Sequence, residues 1–223
     1  MPQRHRVFEA FLSGARPVLV ERHGEAFAEA VLADARLEYE RVLPEVPDIG
    51  GVRNVYQPVM TVNGWLAALH RAMRTHGANA EDTVRVSHAV FDAWFRKLPG
   101  FALRAIGRVL LSSPVRRYFE RQAERSQERR YAEDFVWKVE RGSDGEISFV
   151  FDECAVNKWY DAQGLRDLKP YCNFADVTYS RLMGMGVDAH ETIGLGCQQC
   201  ALRFKHGRET VVPQALEGIV ADR

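Results

Sequence analysis

Four cysteines are the residues of this chain best suited to covalent chemistry, and all of them fall in its last third, at Cys154, Cys172, Cys197 and Cys200. Thiolates attack electrophilic carbon and bind soft metals, and their pKa falls at a helix N-terminus or beside a cation. Cys154 opens an expected helix and has Lys158 one turn on. Asp176 lies one helical turn after Cys172, so the two side chains share a face, and the carboxyl is placed to orient water or act as a base. Cys172, Asp176 and Cys154 are therefore the candidate catalytic residues. His190 joins them as a general acid or base candidate, because it falls in an expected strand beside Glu191 and Thr192.

The same sulfurs carry a second reading. Cys154, Cys172 and Cys200, completed by His190 or Asp176, are a chemically sensible set for zinc or another divalent ion such as manganese. Cys197 and Cys200 form a two-residue-spaced pair with no second pair following. Residues three apart on an extended strand face opposite sides, which sets Cys197 outside the site unless the pair lies in a turn. Simple burial is the bland alternative for each thiol.

Elements must bring these positions together. Apolar residues at helical spacing predict a helix from Pro17 to Val42, with Phe27, Val31, Leu32, Leu37 and Val42 on one face. A second runs from Gln57 to His76 and ends at Gly77. A third, capped by Asn79 or Asp82, runs to Leu98. Residues 101–130 read as helical with a break at Ser113-Pro114, their arginines interleaved with Glu120, Glu124 and Glu128 as a solvated face of ion pairs. His5, His23, His70, His76, His88 and His206 are expected on helix surfaces or ends.

After Tyr131 the pattern becomes aromatic and β-branched. Residues 134–140 and 146–151 predict a hairpin turning through Gly142-Ser143-Asp144-Gly145. Helices follow from Cys154 to Ala162 and from Leu168 to Met183, then a second hairpin over 187–194 and 200–205. The fold class is α+β: an N-terminal helical layer over residues 1–130, a ββααββ unit over 131–207 packed with it as one domain and forming an antiparallel sheet with helices on one face, and a loose tail over 208–223.

Composition narrows the function. Thirty basic residues balance thirty acidic ones in 223, so no net field draws the chain to nucleic acid or an anionic membrane. No apolar run approaches the ~18 residues a membrane span needs. The expectation is a cytoplasmic protein acting on a small molecule, with room for a homodimer, and with free thiols rather than disulfides.

Several short words in fixed order extend this. Tyr39 through Pro44, Glu45, Val46, Pro47, Asp48, Ile49, Gly50, Gly51, Val52, Arg53 and Asn54 come first. Cys154 with Lys158 and Gly164 follows, then Tyr171-Cys172-Asn173-Phe174-Ala175-Asp176, then Thr192 and Cys200-Ala201-Leu202-Arg203-Phe204-Lys205. Together they resemble the L-2-amino-thiazoline-4-carboxylic acid hydrolase family. The later half also resembles, at fold level, the ligand-binding domains of vinyl-reductase-like proteins.

The resemblance implies hydrolytic opening of a cyclic isothiourea at a C–N bond, giving a carbamoyl-cysteine on the way to L-cysteine. It implies Cys172 and Cys154 as nucleophile or ligand, Asp176 as base, and Lys158, Arg203, Asn54 and Thr192 as substrate-binding positions, Lys158 or Arg203 clamping the carboxylate. It also leads to an acid and an aromatic where this chain has Ala201 and Leu202, and a glycine where it has Cys197. A non-catalytic module holding a small ligand or metal in a cysteine-lined pocket is the alternative.

Overall fold

The computed structural model describes residues 2–142 and 145–220. Its helices are α1 (Pro2–His23), α2 (Glu25–Val42), α3 (Gln57–Thr75), α4 (Ala80–Phe95), α5 (Gly100–Leu110) and α6 (Ser113–Ser126). The strands β1 (Val136–Arg141) and β2 (Ile147–Glu153) follow, then α7 (Ala155–Ala162) and α8 (Phe174–Met183), then β3 (Val187–Glu191), β4 (Cys200–Phe204) and α9 (Gln214–Val220). The architecture is α+β, as the sequence indicates.

Local chemistry explains the boundaries. Asn79 and Asp82 act together rather than alternatively: Asp82 N–H donates to Asn79 Oδ1 at 2.9 Å and Asn79 N–H to Asp82 Oδ2 at 3.2 Å, a reciprocal cap on α4. The helix expected from Pro17 to Val42 is instead two. Gly24 stands between them at φ 88°, a conformation that cannot continue a helix. Within α2 the helical period puts Val31, Leu32 and Val42 on the buried face and Leu37 on the opposite, exposed one. The helix expected from Leu168 begins only at Phe174, because Pro170 sits in a 3₁₀ segment, Arg166–Tyr171.

Four strands form one antiparallel sheet in the order β1-β2-β4-β3. The turn expected at residues 142–145 is closed by Gly142 N–H to Glu146 O at 3.0 Å, while Ser143 and Asp144 lie outside the described residues. Trp137, Phe151 and Cys200 lie in cross-strand register, as do Val139, Phe149 and Leu202. That face packs on helices. Alternation places Lys138, Val150, Ala201 and Arg203 on the opposite face.

One apolar core lies between the sheet and α7, α8 and α9, and a second among α1 to α4. The expected loose tail is corrected by α9, whose Leu216, Ile219 and Val220 are buried in the first core. Apolar residues three and four apart make that short segment amphipathic despite its polar surroundings. Residues 221–223 lie outside the described residues. Among the described residues no helix is long and apolar enough to cross a membrane.

Candidate functional site

Three of the four sulfurs meet. Cys154 ends the run out of β2 and is the N-cap of α7. Its Sγ accepts a hydrogen bond from Asn157 Nδ2 at 3.2 Å, and the same Nδ2 lies 3.8 Å from Cys172 Sγ. The Cys200 thiol, from the helix-covered face of β4, donates to Cys154, and the Val156 and Asn157 backbone N–H groups point to the same sulfur. Ile193 N–H donates to Cys200 Sγ at 3.1 Å. The turn holding Ile193 fits only because Gly194 has no side chain. A Cβ there would stand 2.0 Å from Lys169 O and 3.1 Å from Cys172 Sγ.

These donors separate the thiols electrostatically. The hydrogen bond from Cys200, followed by those from Asn157 and the start of α7, lowers the pKa of Cys154 against the opposing effect of burial. Burial, and then the charge on Cys154, raises that of Cys172. Cys200 is raised by its bond to Cys154 and by burial. Cys154 is thus the most readily ionised of the three sulfurs, while Cys172 and Cys200 are held as thiols.

A carboxyl and phenols close the set. Burial pushes Asp176 up to about 6, against a hydrogen bond from Tyr179 Oη to its Oδ1 at 2.6 Å. Burial first, then the charges of Asp176 and Cys154, holds Tyr56 protonated. Burial likewise raises Tyr160, with smaller contributions from Cys172 and Cys154, and its Oη donates to Asn63 Oδ1. The Tyr56 ring packs at 5.1 Å from Trp137 and 5.5 Å from Phe151. A cleft of about 530 Å³ is lined by Trp137 together with Arg53, Asn54, Arg125, Arg130 and Asp134.

Other expected site residues serve elsewhere. Lys158 Nζ turns away from Cys154 and donates to Ala132 O at 2.8 Å, to Asp134 O at 3.1 Å and to Glu153. It fastens the approach to β1 onto the end of β2. Arg203 pairs with Glu191 on the sheet face remote from the helices. His190 is exposed and bonded to Asp188. Its expected place beside the thiols fails because strand alternation buries Val187 and Ala189 and puts His190 on the outer face with Asp188, which pairs with Arg203.

Asn54 spends its amide on Ile49 O and Asp134 Oδ2, at 2.7 and 2.8 Å, and accepts from Tyr56 N–H. Thr192 Oγ1 caps the Ile193–Leu195 turn. Cys197 is exposed while Cys200 is buried, so the pair does not act as one unit. His70, expected on a surface, is fully buried.

Among the described residues no group of three or more His, Cys, Asp or Glu side chains is placed to hold a metal ion. The zinc set drawn from Cys154, Cys172 and Cys200 therefore does not assemble with His190 as its fourth member. The residues that sequence reasoning missed are Asn157, Tyr56, Tyr160 and Tyr179. Asn157 and Tyr179 had a signal in their spacing, each three residues after Cys154 or Asp176 on a helix. Tyr160 had none, since its partner Asn63 is 97 residues away.

Fold and site together define an α+β protein with a cluster of cysteine sulfurs, a carboxyl and phenols where two helix N-termini meet an antiparallel sheet. The family model for L-2-amino-thiazoline-4-carboxylic acid hydrolase matches residues 63–204, and the chain belongs to this family. No curated protein and no solved structure matches it. The matched segment contains all of the cluster except Tyr56. A hydrolase-like function follows from that membership.

Proposed function

We propose that this protein opens the ring of a 2-amino-thiazoline-4-carboxylate or a closely related cyclic isothiourea, with Cys154 as nucleophile and Asp176 as proton relay. The observation that carries the reading is the convergence of donors on Cys154 Sγ, from Cys200, from Asn157 and from the start of α7. No other sulfur of the set is so served. The sequence puts the weight on Cys172 with Asp176, and the burial that raises the pKa of Cys172 moves the nucleophile's role to Cys154 in this proposal.

The chemistry balances with one water. Cys154 sulfur adds to the carbon between the ring sulfur and nitrogen. One proton, carried by Cys154 or by the Asp176 carboxyl, and one from the exocyclic amino group end on the ring nitrogen, and the ring C–N bond breaks to release an amine. Water then adds to the remaining C=N carbon. One of its protons goes to that nitrogen and the other, through Asp176, to the departing Cys154 sulfur, leaving a carbamoyl thioester of the opened cysteine. A carboxyl with a pKa of about 6 is poised to accept and return that proton near neutral pH.

The substrate carboxylate needs a cation, and both expected clamps are engaged, Lys158 by two carbonyls and Glu153, Arg203 by Glu191. The cleft lined by Trp137 supplies Arg53 and Arg125 instead. In this reading the carboxylate stays at the arginines while the ring passes Tyr56. Turnover of 2-amino-thiazoline-4-carboxylate by the wild type, Cys154→Ser and Cys172→Ser tests the assignment. Loss of about a thousandfold or more is expected for Cys154→Ser and within about tenfold for Cys172→Ser. Equal losses, or none, would overturn it.

A further inference from the structure

Asn157 is 3% exposed, yet its Oδ1 is buried without a hydrogen-bond partner. Its Nδ2 is committed to the sulfurs of Cys154 and Cys172, which fixes the direction of the other arm of the amide. An unpaired buried carbonyl oxygen costs about 1–3 kcal/mol, and such an atom in a native protein calls for a donor from outside. A second one lies in the same segment. Asn173, also 3% exposed and adjacent in sequence to Cys172, donates Nδ2 to Ala189 O at 2.8 Å and leaves its Oδ1 unpaired. The neighbouring Asp176 carboxylate is a further acceptor, already met on one oxygen by Tyr179.

A site with surplus acceptors selects a ligand with surplus N–H donors. Thiazoline and amide ligands with no free amino group leave Asn157 Oδ1 unmet, and an amino group on the carbon attacked by Cys154 meets it. We infer that Asn157 is the residue that recognises the amino group of an amidine or isothiourea ligand, Oδ1 receiving its N–H while Nδ2 holds Cys154 and Cys172 in place. The inference rests on the reading of Cys154 as the reacting sulfur and adds the specificity determinant that reading lacks.

Calorimetric binding of two nearly isosteric probes, 2-amino-2-thiazoline and 2-methyl-2-thiazoline, tests it. The wild type should bind the amino probe about tenfold or more tightly. Asn157→Asp, which keeps an acceptor, should retain a preference, and Asn157→Leu should bring the two within about twofold. Equal binding in the wild type, no binding of the amino probe, or an undiminished preference in Asn157→Leu would overturn the inference. The wild-type comparison decides the matter even where a variant fails to fold. Preference for the amino probe without ring opening would sink the hydrolase reading alone, and ring opening without the preference would sink this inference alone.

Discussion

Helix α3 sends a side chain into each of two buried polar groupings, and they are built on opposite plans. Toward one side His70, fully buried, has both ring nitrogens bonded, Nδ1 to Thr83 Oγ1 at 3.0 Å and Nε2 to Asp167 Oδ2 at 2.9 Å. Thr83 in turn donates to Asn79 O. Toward the other, Asn63 accepts from Tyr160, which feels the charges of Cys172 and Cys154. There the amide oxygens of Asn157 and Asn173 are unmet and three cysteine sulfurs crowd together. The first grouping is saturated and ties α3, α4 and the segment before α8 together. The second is left open, which is the signature of a place where a ligand completes the bonding.

The difference is breakable by mutation. His70→Ala removes a buried ring and both of its bonds, so it should cost about 2–4 kcal/mol in denaturant unfolding while leaving turnover per folded molecule within about twofold. A large loss of turnover at full folding would move His70 into the open grouping. Asp176→Asn should do the reverse. Burial lifts the folded carboxyl from 3.8 to about 6, so the fold favours its protonated form and the wild type loses that stability as pH rises through 6.

The Asn variant should match the wild type near pH 4 and exceed it by about 1–2 kcal/mol at pH 8, discounted for the partial exposure of this side chain. Wild-type turnover should also fall below about pH 6 as the relay becomes protonated. Equal stability of the two proteins across that range would show Asp176 to be solvated and outside the cluster.

The two groupings were not equally legible in the sequence. Helix periodicity and turn residues placed α3, α4, α7 and both hairpins, because those signals are local. Cys154 at a helix start and Asp176 one turn after Cys172 were legible for the same reason. Nothing local marks His70 as buried, because its partners lie 13 and 97 positions away. Lys158 was read as a clamp because the carbonyls it holds, at Ala132 and Asp134, come from a loop whose course the sequence does not reveal. A side chain's partner across the fold is a tertiary fact.

The departures at Ala201 and Leu202 look different in three dimensions. Ala201 lies beside Val150 and Glu191 on the sheet face away from the thiols, so the missing acid leaves the donors to Cys154 unchanged. Leu202 faces the core beside Phe149. Neither change removes a group from the cluster.

In the proposed reaction Cys154 bonds to the ligand's ring carbon. Mixing the protein with excess 2-amino-thiazoline-4-carboxylate, quenching in acid within the first turnovers and mapping the peptides by mass spectrometry tests it directly. The mass of the opened substrate is expected on the peptide containing Cys154 and on no other cysteine. Product formed with the adduct on Cys172, or with no adduct at any quench time and undiminished turnover in Cys154→Ser, would contradict it.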